Sequence, residues 1–243
     1  MNRYKAAGLH FLGSAAVLLL IAAVVRWVWY PGPFFYVAGG VNLIGIIAGV
    51  DVVLGPLIML IIFNPQKKSI KFDVACVLVF QLAFLGYGVW SIGQARPAFI
   101  TFAGQRFFMV TANEIEEAEL KKGSDDYFST LAFTGPRLVG TQGPSDPKKA
   151  EDIDLASSGG MGIQNLPQYY VSYSKVQAQV KQAAKPASAI NKLSEKERKF
   201  LQDYEAANQA RKIGFVPLTG KGRLMFAVVD SESGALLEIL LPQ

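Results

Sequence analysis

Residues 37–63, VAGGVNLIGIIAGVDVVLGPLIMLIIF, form an apolar run that is long enough to cross a lipid bilayer. About 20 apolar residues are sufficient, because a helix of that length spans the hydrocarbon core. The run contains one charged residue, Asp51, near its middle. A carboxylate at that depth costs a few kcal/mol, so we expect it to have a partner or a function.

Small residues and a proline surround Asp51 in this predicted helix. Gly45 and Gly49 form a small-xxx-small step, which permits close approach between helices. Gly55 follows Asp51 by four residues, so we expect both on the same side of the helix. Pro56 lacks a backbone N–H, so a carbonyl in the preceding turn needs another partner or a local bend.

Two interpretations of Asp51 remain open at this point. The carboxylate is either hydrogen-bonded inside the helix bundle, with Gln81 as its partner, or it binds a basic group on another membrane helix. A proton relay is less favoured, because the other apolar runs supply no chain of ionisable residues at the same depth.

Two further apolar runs, residues 11–30 and 74–92, flank the central one. A cleaved signal peptide is the alternative for the first, since a short basic tail precedes it. The run is too long for the apolar region of a signal peptide, and no small-residue cleavage site follows, which favours an uncleaved transmembrane helix. Arg26, among aromatic residues near its end, is expected to reach the membrane interface.

The lysines and arginines of the short loops predict the orientation. The N-terminal tail and the loop with Lys67, Lys68 and Lys71 are basic, whereas the loop after the first run has no charge. By the positive-inside rule both basic segments are cytoplasmic. We therefore predict a membrane domain, residues 1–96, with three helices at about 11–30, 37–63 and 74–92. A small α+β extracytoplasmic domain, residues 97–243, follows in the periplasm.

The composition agrees with two unlike halves and argues against several functions. The 243 residues are 51% hydrophobic with a mean hydropathy of +0.27, and the excess lies in the first part of the chain. The net charge of +5 does not indicate nucleic-acid binding, because Lys and Arg are scattered. One cysteine, Cys76, and one histidine, His10, are too few to hold zinc or haem. No cofactor or metal is predicted.

After Pro97 the patterns predict short strands and helices. Strands are expected in a hairpin over residues 98–110, at 127–133, and in the closing segments 215–218, 223–229 and 235–241. Helices are expected after Asn113 up to residue 120, and at 148–156, 171–184 and 194–207, with a break at 157–160. Ser194 and Glu197 have the spacing of a capping box, which stabilises a helix by about 1 kcal/mol.

No catalytic motif is recognised in the second half. Gly159-Gly160-Met161-Gly162 lacks the strand-to-helix context and the lysine of a phosphate loop. There is no GxSxG motif, and no histidine is available as a base for the serines. The acidic pairs there are typical of solvated surface. The sequence does not predict an enzyme.

Five short motifs stand out along the first half of the chain. They are Trp29-Tyr30-Pro31-Gly32-Pro33, the block GVDVVLGPL at 49–57, Phe63-Asn64-Pro65 with KKSIKFD at 67–73, Arg96-Pro97-Ala98, and Ala112-Asn113-Glu114-Ile115. Together they resemble the type IV pilin accessory protein family of the TfpX/TfpZ type. The resemblance is dense over residues 1–115 and thin afterwards, where only the closing strand-turn-strand fits.

The resemblance implies a non-enzymatic protein of the bacterial inner membrane. Members of the family look like chaperones specific for one type IV pilin, which hold the major pilin subunit among the membrane lipids before assembly. On this interpretation Asp51 pairs with a basic or hydrogen-bond-donating group at the pilin N-terminus. Gly45, Gly49 and Gly55 let the helices approach, and Pro56 belongs to the same partner-binding set.

Two other functions compete with this interpretation. A membrane-anchored periplasmic sensor would need an output partner at the cytoplasmic lysines, because the cytoplasmic segments are short. A small ion-coupled transporter built on Asp51 would need a polar pathway through the membrane.

Overall fold

Three long apolar helices make up most of the chain before Pro97. The structure, a computed structural model, describes residues 2–157, 161–191 and 193–242, so most of the predicted break at 157–160 lies outside the described residues. The chain divides into two compact units at the Arg96–Pro97 bond. We name residues up to 96 the helical unit and residues from 97 the sheet unit.

The first long helix consists of α1, Arg3–Val24, and a π-helical turn, Val25–Trp29. It begins before the predicted position 11, because Asn2 caps it. The side chain of Asn2 accepts a hydrogen bond of 2.9 Å from the backbone N–H of Lys5. Such a cap satisfies one of the backbone donors that a helix N-terminus leaves free.

The second long helix is built from several segments. A short helix α2, Phe34–Val37, precedes α3, Gly40–Ala48, and a π-helical turn, Gly49–Leu54, joins α3 to α4, Gly55–Ile62. The continuous helix predicted from position 37 is wrong at its start. Gly39 has a φ of 78°, a left-handed conformation that ends α2 and lets α3 begin in a new direction.

The third long helix is α5, Ile70–Ala95, which extends beyond both ends of the predicted segment 74–92. All three long helices are apolar and long enough to cross a membrane. At one end the bundle is closed by a packed core that includes Val25, Tyr30 and Ile47. The hydroxyl of Tyr30 donates a hydrogen bond of 2.7 Å to the carbonyl of Ile92, which ties the first helix to the third.

The sheet unit contains a seven-stranded mixed sheet. Its strands are β1, Pro97–Ala103; β2, Arg106–Thr111; β3, Arg137–Thr141; β4, Tyr170–Ser172; β5, Ile213–Gly220; β6, Arg223–Asp230; and β7, Leu236–Leu240. Their order in the sheet is β4-β3-β1-β2-β5-β6-β7. The β1–β3 and β2–β5 pairs are parallel and the other neighbours are antiparallel. The predicted hairpin and the three closing strands are confirmed.

In the described part of the sheet unit, five α-helices accompany the sheet: α6, Glu117–Leu120; α7, Asp126–Ser129; α8, Pro147–Ser157; α9, Gln177–Ala183; and α10, Glu195–Ala207. Apolar clusters hold the unit together. One packs Phe128 onto Phe99 and Val110 of the first strands, and another includes Leu201 of α10 and Phe215 of β5. The sheet unit is therefore α+β, as the sequence predicts.

Two predicted elements of the sheet unit are wrong, and a third, the helix expected after Asn113, is α-helical only at Glu117–Leu120. Residues 127–133 form the helix α7 and a loop instead of a strand, because the Asp125 side chain accepts hydrogen bonds from the N–H groups of Tyr127 and Phe128 and caps a helix there. The predicted helix 171–184 starts with strand β4, and only Gln177–Ala183 is α-helical.

Arg137 fixes the loop that follows α7. Its guanidinium donates hydrogen bonds to the carbonyls of Tyr127 at 2.5 Å and Thr130 at 2.7 Å, and it lies 4.8 Å from the centroid of the Tyr127 ring. We expect Arg137→Met to destabilise the sheet unit by roughly 1–3 kcal/mol, since charged hydrogen bonds are lost. Pulse proteolysis of the full chain in urea measures this. Arg106→Met, at an exposed position, is the control and should change stability by less than about 0.5 kcal/mol.

The predicted capping box at the start of α10 is confirmed. The Ser194 side chain accepts from the Glu197 N–H, and the Glu197 carboxylate accepts from the Ser194 N–H at 2.8 Å. The Ser194 hydroxyl also donates a hydrogen bond of 2.6 Å to the Glu197 carboxylate. This bond, and then the one from the Ser194 backbone N–H, hold the pKa of Glu197 below its ordinary value.

The lowered pKa of Glu197 predicts how α10 responds to acid. The cap is fully formed above the unfolded pKa of about 4.3 and is lost as the pH falls through the lower, folded pKa. Hydrogen exchange of the first turn of α10 should therefore accelerate, relative to the intrinsic rate, between about pH 5 and pH 3. Glu197→Gln keeps a capping acceptor without a titrating group, so its protection should lose this pH dependence. Equal pH dependence in both proteins would contradict the assignment.

Candidate functional site

Asp51 lies in a π-helical turn in the middle of the second long helix. The turn has a local cause. Pro56 has no N–H to offer, and the N–H of Gly55 reaches back five residues to the carbonyl of Val50. The predicted local bend therefore takes the form of a π-turn. Asp51 is buried within the bundle, with 6% of its surface exposed.

Three polar side chains from the other two long helices line the same cavity as Asp51. They are His10 and Ser14 of α1 and Gln81 of α5. The imidazole of His10 lies within electrostatic range of the Asp51 carboxylate. Buried polar groups from all three long helices thus converge at one depth of the bundle.

Two of these polar side chains, His10 and Gln81, have buried atoms without a hydrogen-bond partner in the described part of the chain. Nε2 of His10 and both the oxygen and the nitrogen of the Gln81 amide are buried without a hydrogen-bond partner among the described residues. The predicted hydrogen bond between Gln81 and Asp51 is therefore not formed, although the two residues line the same cavity. Buried polar groups normally have partners, so such a cluster requires an explanation.

The cavity is a cleft between α1 and α5 with a volume of about 240 Å³. The second long helix forms its floor through Ile47 and Asp51. Its rim includes Val17 and Leu82, which are 44% and 66% exposed. The cleft therefore opens on the lateral surface of the bundle, which in a membrane would face lipid or another helix.

A second apolar cavity, of about 180 Å³, adjoins the first. The two share His10 and Leu78, and the second is also lined by Met59 and Phe63. His10 thus borders both cavities. The accessible apolar surface continues from the level of Asp51 toward the loop between the second and third long helices.

The three glycines predicted to bind a partner, Gly45, Gly49 and Gly55, differ in how much space surrounds them. A methyl group on Gly55 would overlap the Gln81 amide and come within 2.9 Å of His10 Nε2, so Gly55 is required for packing at the site. At Gly45 and Gly49 such a methyl group would meet no described atom within 4 Å. The prediction that Gly45 and Gly49 pack closely against another helix inside the bundle is therefore wrong, and the surface at both glycines is open.

His10 and Ser14 are the site residues that sequence reasoning missed. A signal was available, since the two residues are four apart and share one face of an apolar helix. From the sequence, His10 is a candidate only for metal binding. Among the described residues no group of three or more His, Cys, Asp or Glu side chains could hold a metal ion.

The chain is similar to proteins of fimbrial assembly. The family model described as fimbrial assembly protein FimB matches residues 1–39. Two fimbrial assembly proteins of Dichelobacter nodosus, of serogroups E1 and I, are each 29% identical over 233 residues, which cover 93% of this chain and 89% of the relative.

A third relative of the same organism is shorter. The fimbrial assembly protein of serogroups C1 and C2 is 39% identical over 100 residues, which cover 40% of this chain and 76% of the relative. No solved structure matches the chain significantly.

Proposed function

Since this chain belongs to the family of fimbrial assembly proteins, we propose that it acts in pilus assembly as a chaperone for a type IV pilin subunit in the bacterial inner membrane. Homology supports a role in pilus assembly. We take that role to be an accessory, non-enzymatic one. To this assembly role we add two proposals, namely that the protein acts as a chaperone and that its partner is a pilin.

We place the three long helices across the inner membrane. Their length and apolar composition support this, as does the absence of charge in the loop after the first helix. The positive-inside rule puts the N-terminus and the loop with Lys67, Lys68 and Lys71 in the cytoplasm. The sheet unit then lies in the periplasm.

The observation that carries the proposal is the laterally open cleft with Asp51 in its floor. A buried carboxylate at this depth is expensive in a lipid environment, and a partner helix that brings a basic or donating group would reduce that cost. The binding set is Asp51 with Gly55 and Pro56, which shape the site. Gly45 and Gly49 offer open surface to a second helix.

Affinity purification from native membranes tests the proposal. The tagged full-length protein, solubilised in mild detergent, should retain one type IV pilin as its dominant partner by mass spectrometry, and the untagged strain serves as the control. Retention of a cytoplasmic regulator in place of pilin would instead support the sensor. A proton flux in proteoliposomes that disappears with Asp51→Asn would support the transporter.

A further inference from the structure

We propose that the cleft is a binding site for a primary ammonium group and that Asp51, His10 and Gln81 form it together. The identity of the natural ligand rests on the proposed function, because we take the ammonium group to be carried by the membrane segment of the pilin subunit. The roles of His10 and Gln81 as ligand-binding residues follow from their position around Asp51 and from their unpaired atoms.

The chemistry of the three side chains favours a ligand that donates hydrogen bonds over a ligand that accepts them. An ionised carboxylate only accepts hydrogen bonds, and the amide oxygen of Gln81 accepts as well. Nε2 of a neutral histidine accepts when the proton is on Nδ1. A primary ammonium has three donors and no acceptor, so it matches one acceptor from each of the three long helices. Its positive charge also complements Asp51, whereas an anion would be repelled.

The shape of the cleft favours an ammonium group attached to an apolar body. Apart from the polar cluster, the walls are apolar and include Val17, Leu18 and Leu85. The volume of about 240 Å³ is large enough for an ammonium group with an adjoining apolar side chain. Since the rim residues Val17 and Leu82 are exposed, such a group can enter from the side without unfolding the bundle.

His10 provides a direct spectroscopic test, because it is the single histidine of the chain. Protein labelled with ¹⁵N-histidine and purified without a histidine tag gives the Nδ1 and Nε2 signals of this one imidazole. The full-length protein is placed in nanodiscs of phosphatidylcholine, a lipid that carries no net charge. It is then titrated with three probes: 2-phenylethylamine, its branched isomer 1-phenylethylamine, and the neutral analogue 2-phenylethanol.

The two amines distinguish two sources of the same chemistry. The carbon beside the nitrogen is branched at a chain's amino terminus and unbranched in a lysine side chain. Stronger binding of 1-phenylethylamine therefore points to the pilin amino terminus, and stronger binding of 2-phenylethylamine points to a lysine. In either case we expect a saturable shift of the His10 Nε2 resonance, with at least about tenfold weaker binding of 2-phenylethanol.

Substitutions test the composition of the site. Asp51→Asn and Gln81→Leu should each weaken amine binding about tenfold or more, because each removes an acceptor from a buried site. Asp73→Asn removes a carboxylate near the start of α5, outside the cleft, and should leave the affinity unchanged. Equal binding of amine and alcohol, or no effect of Asp51→Asn, would overturn the assignment.

The outcome separates this inference from the proposed function, because no pilin is present in the titration. If pilin is retained from native membranes but His10 does not respond to the amines, the ammonium site is wrong and the assembly role stands. If His10 responds and no pilin is retained, the ammonium site stands and pilin is not its natural ligand.

Discussion

Replacing Asp51 by Asn is expected to reduce the amount of pilin that co-purifies with this protein about tenfold or more. The substitution keeps the size and shape of the side chain and removes its charge. If a partner helix pairs a basic group with Asp51 in a lipid environment, that group is left without its counter-charge, which costs about 3–5 kcal/mol for a buried pair. A loss of 1.4 kcal/mol already corresponds to a factor of ten in affinity.

The control for this prediction is Asp73→Asn. Asp73 is also a carboxylate of the helical unit, but it forms an ion pair of 2.5 Å with Lys67. The Asp73→Asn protein should retain pilin at the level of the unchanged protein. Retention by Asp51→Asn at that same level would show that the carboxylate is not part of the pilin-binding surface.

Replacing Gly234 by Ala is expected to destabilise the sheet unit by about 3 kcal/mol or more. Gly234 has a φ of 74°, which L-residues rarely adopt, and its own carbonyl accepts a hydrogen bond of 2.6 Å from the Tyr173 hydroxyl. An added methyl group would also overlap the backbone carbonyl of Gln177, and a backbone atom cannot move away as a flexible side chain can. Pulse proteolysis of the full chain in urea measures the loss.

Gly222 provides a matched control for the second prediction. It has a φ of 73°, yet an added methyl group would meet no described atom within 4 Å. Gly222→Ala therefore has the backbone strain alone, which costs about 1–2 kcal/mol. If the two substitutions destabilise the unit equally, the contact between Gly234 and Gln177 is not what distinguishes them.

The three long helices can be predicted from the sequence because their apolar runs are long and uninterrupted. Their boundaries depend on single caps and turns instead of composition. Asn2 starts the first helix early, and Gly39 splits the start of the second. In the sheet unit, the aromatic residues of 127–133 favour a strand by composition. Asp125 and Arg137 override that preference with hydrogen bonds to the backbone.

Asp51 can be identified as a candidate site residue from the sequence, because a lone carboxylate in an apolar run is unusual. The rest of the cleft depends on how the three helices are rotated about their axes. The π-turn at Gly49–Leu54 inserts an extra residue into the second helix and so sets which side chains share a face with Asp51. The position of His10 and Gln81 around Asp51 follows from that rotation, and hydrophobic periodicity does not encode it.

Site-specific photo-crosslinking tests the central claim most directly. Leu82 and Phe80 lie on the same helix and are both 66% exposed, but of the two Leu82 lines the cleft. A photoreactive phenylalanine analogue is placed at either position in cells that assemble pili. Our account predicts a pilin adduct from position 82 and little or none from position 80. Equal adducts from both positions, or an adduct from position 80 alone, would contradict a pilin-binding cleft.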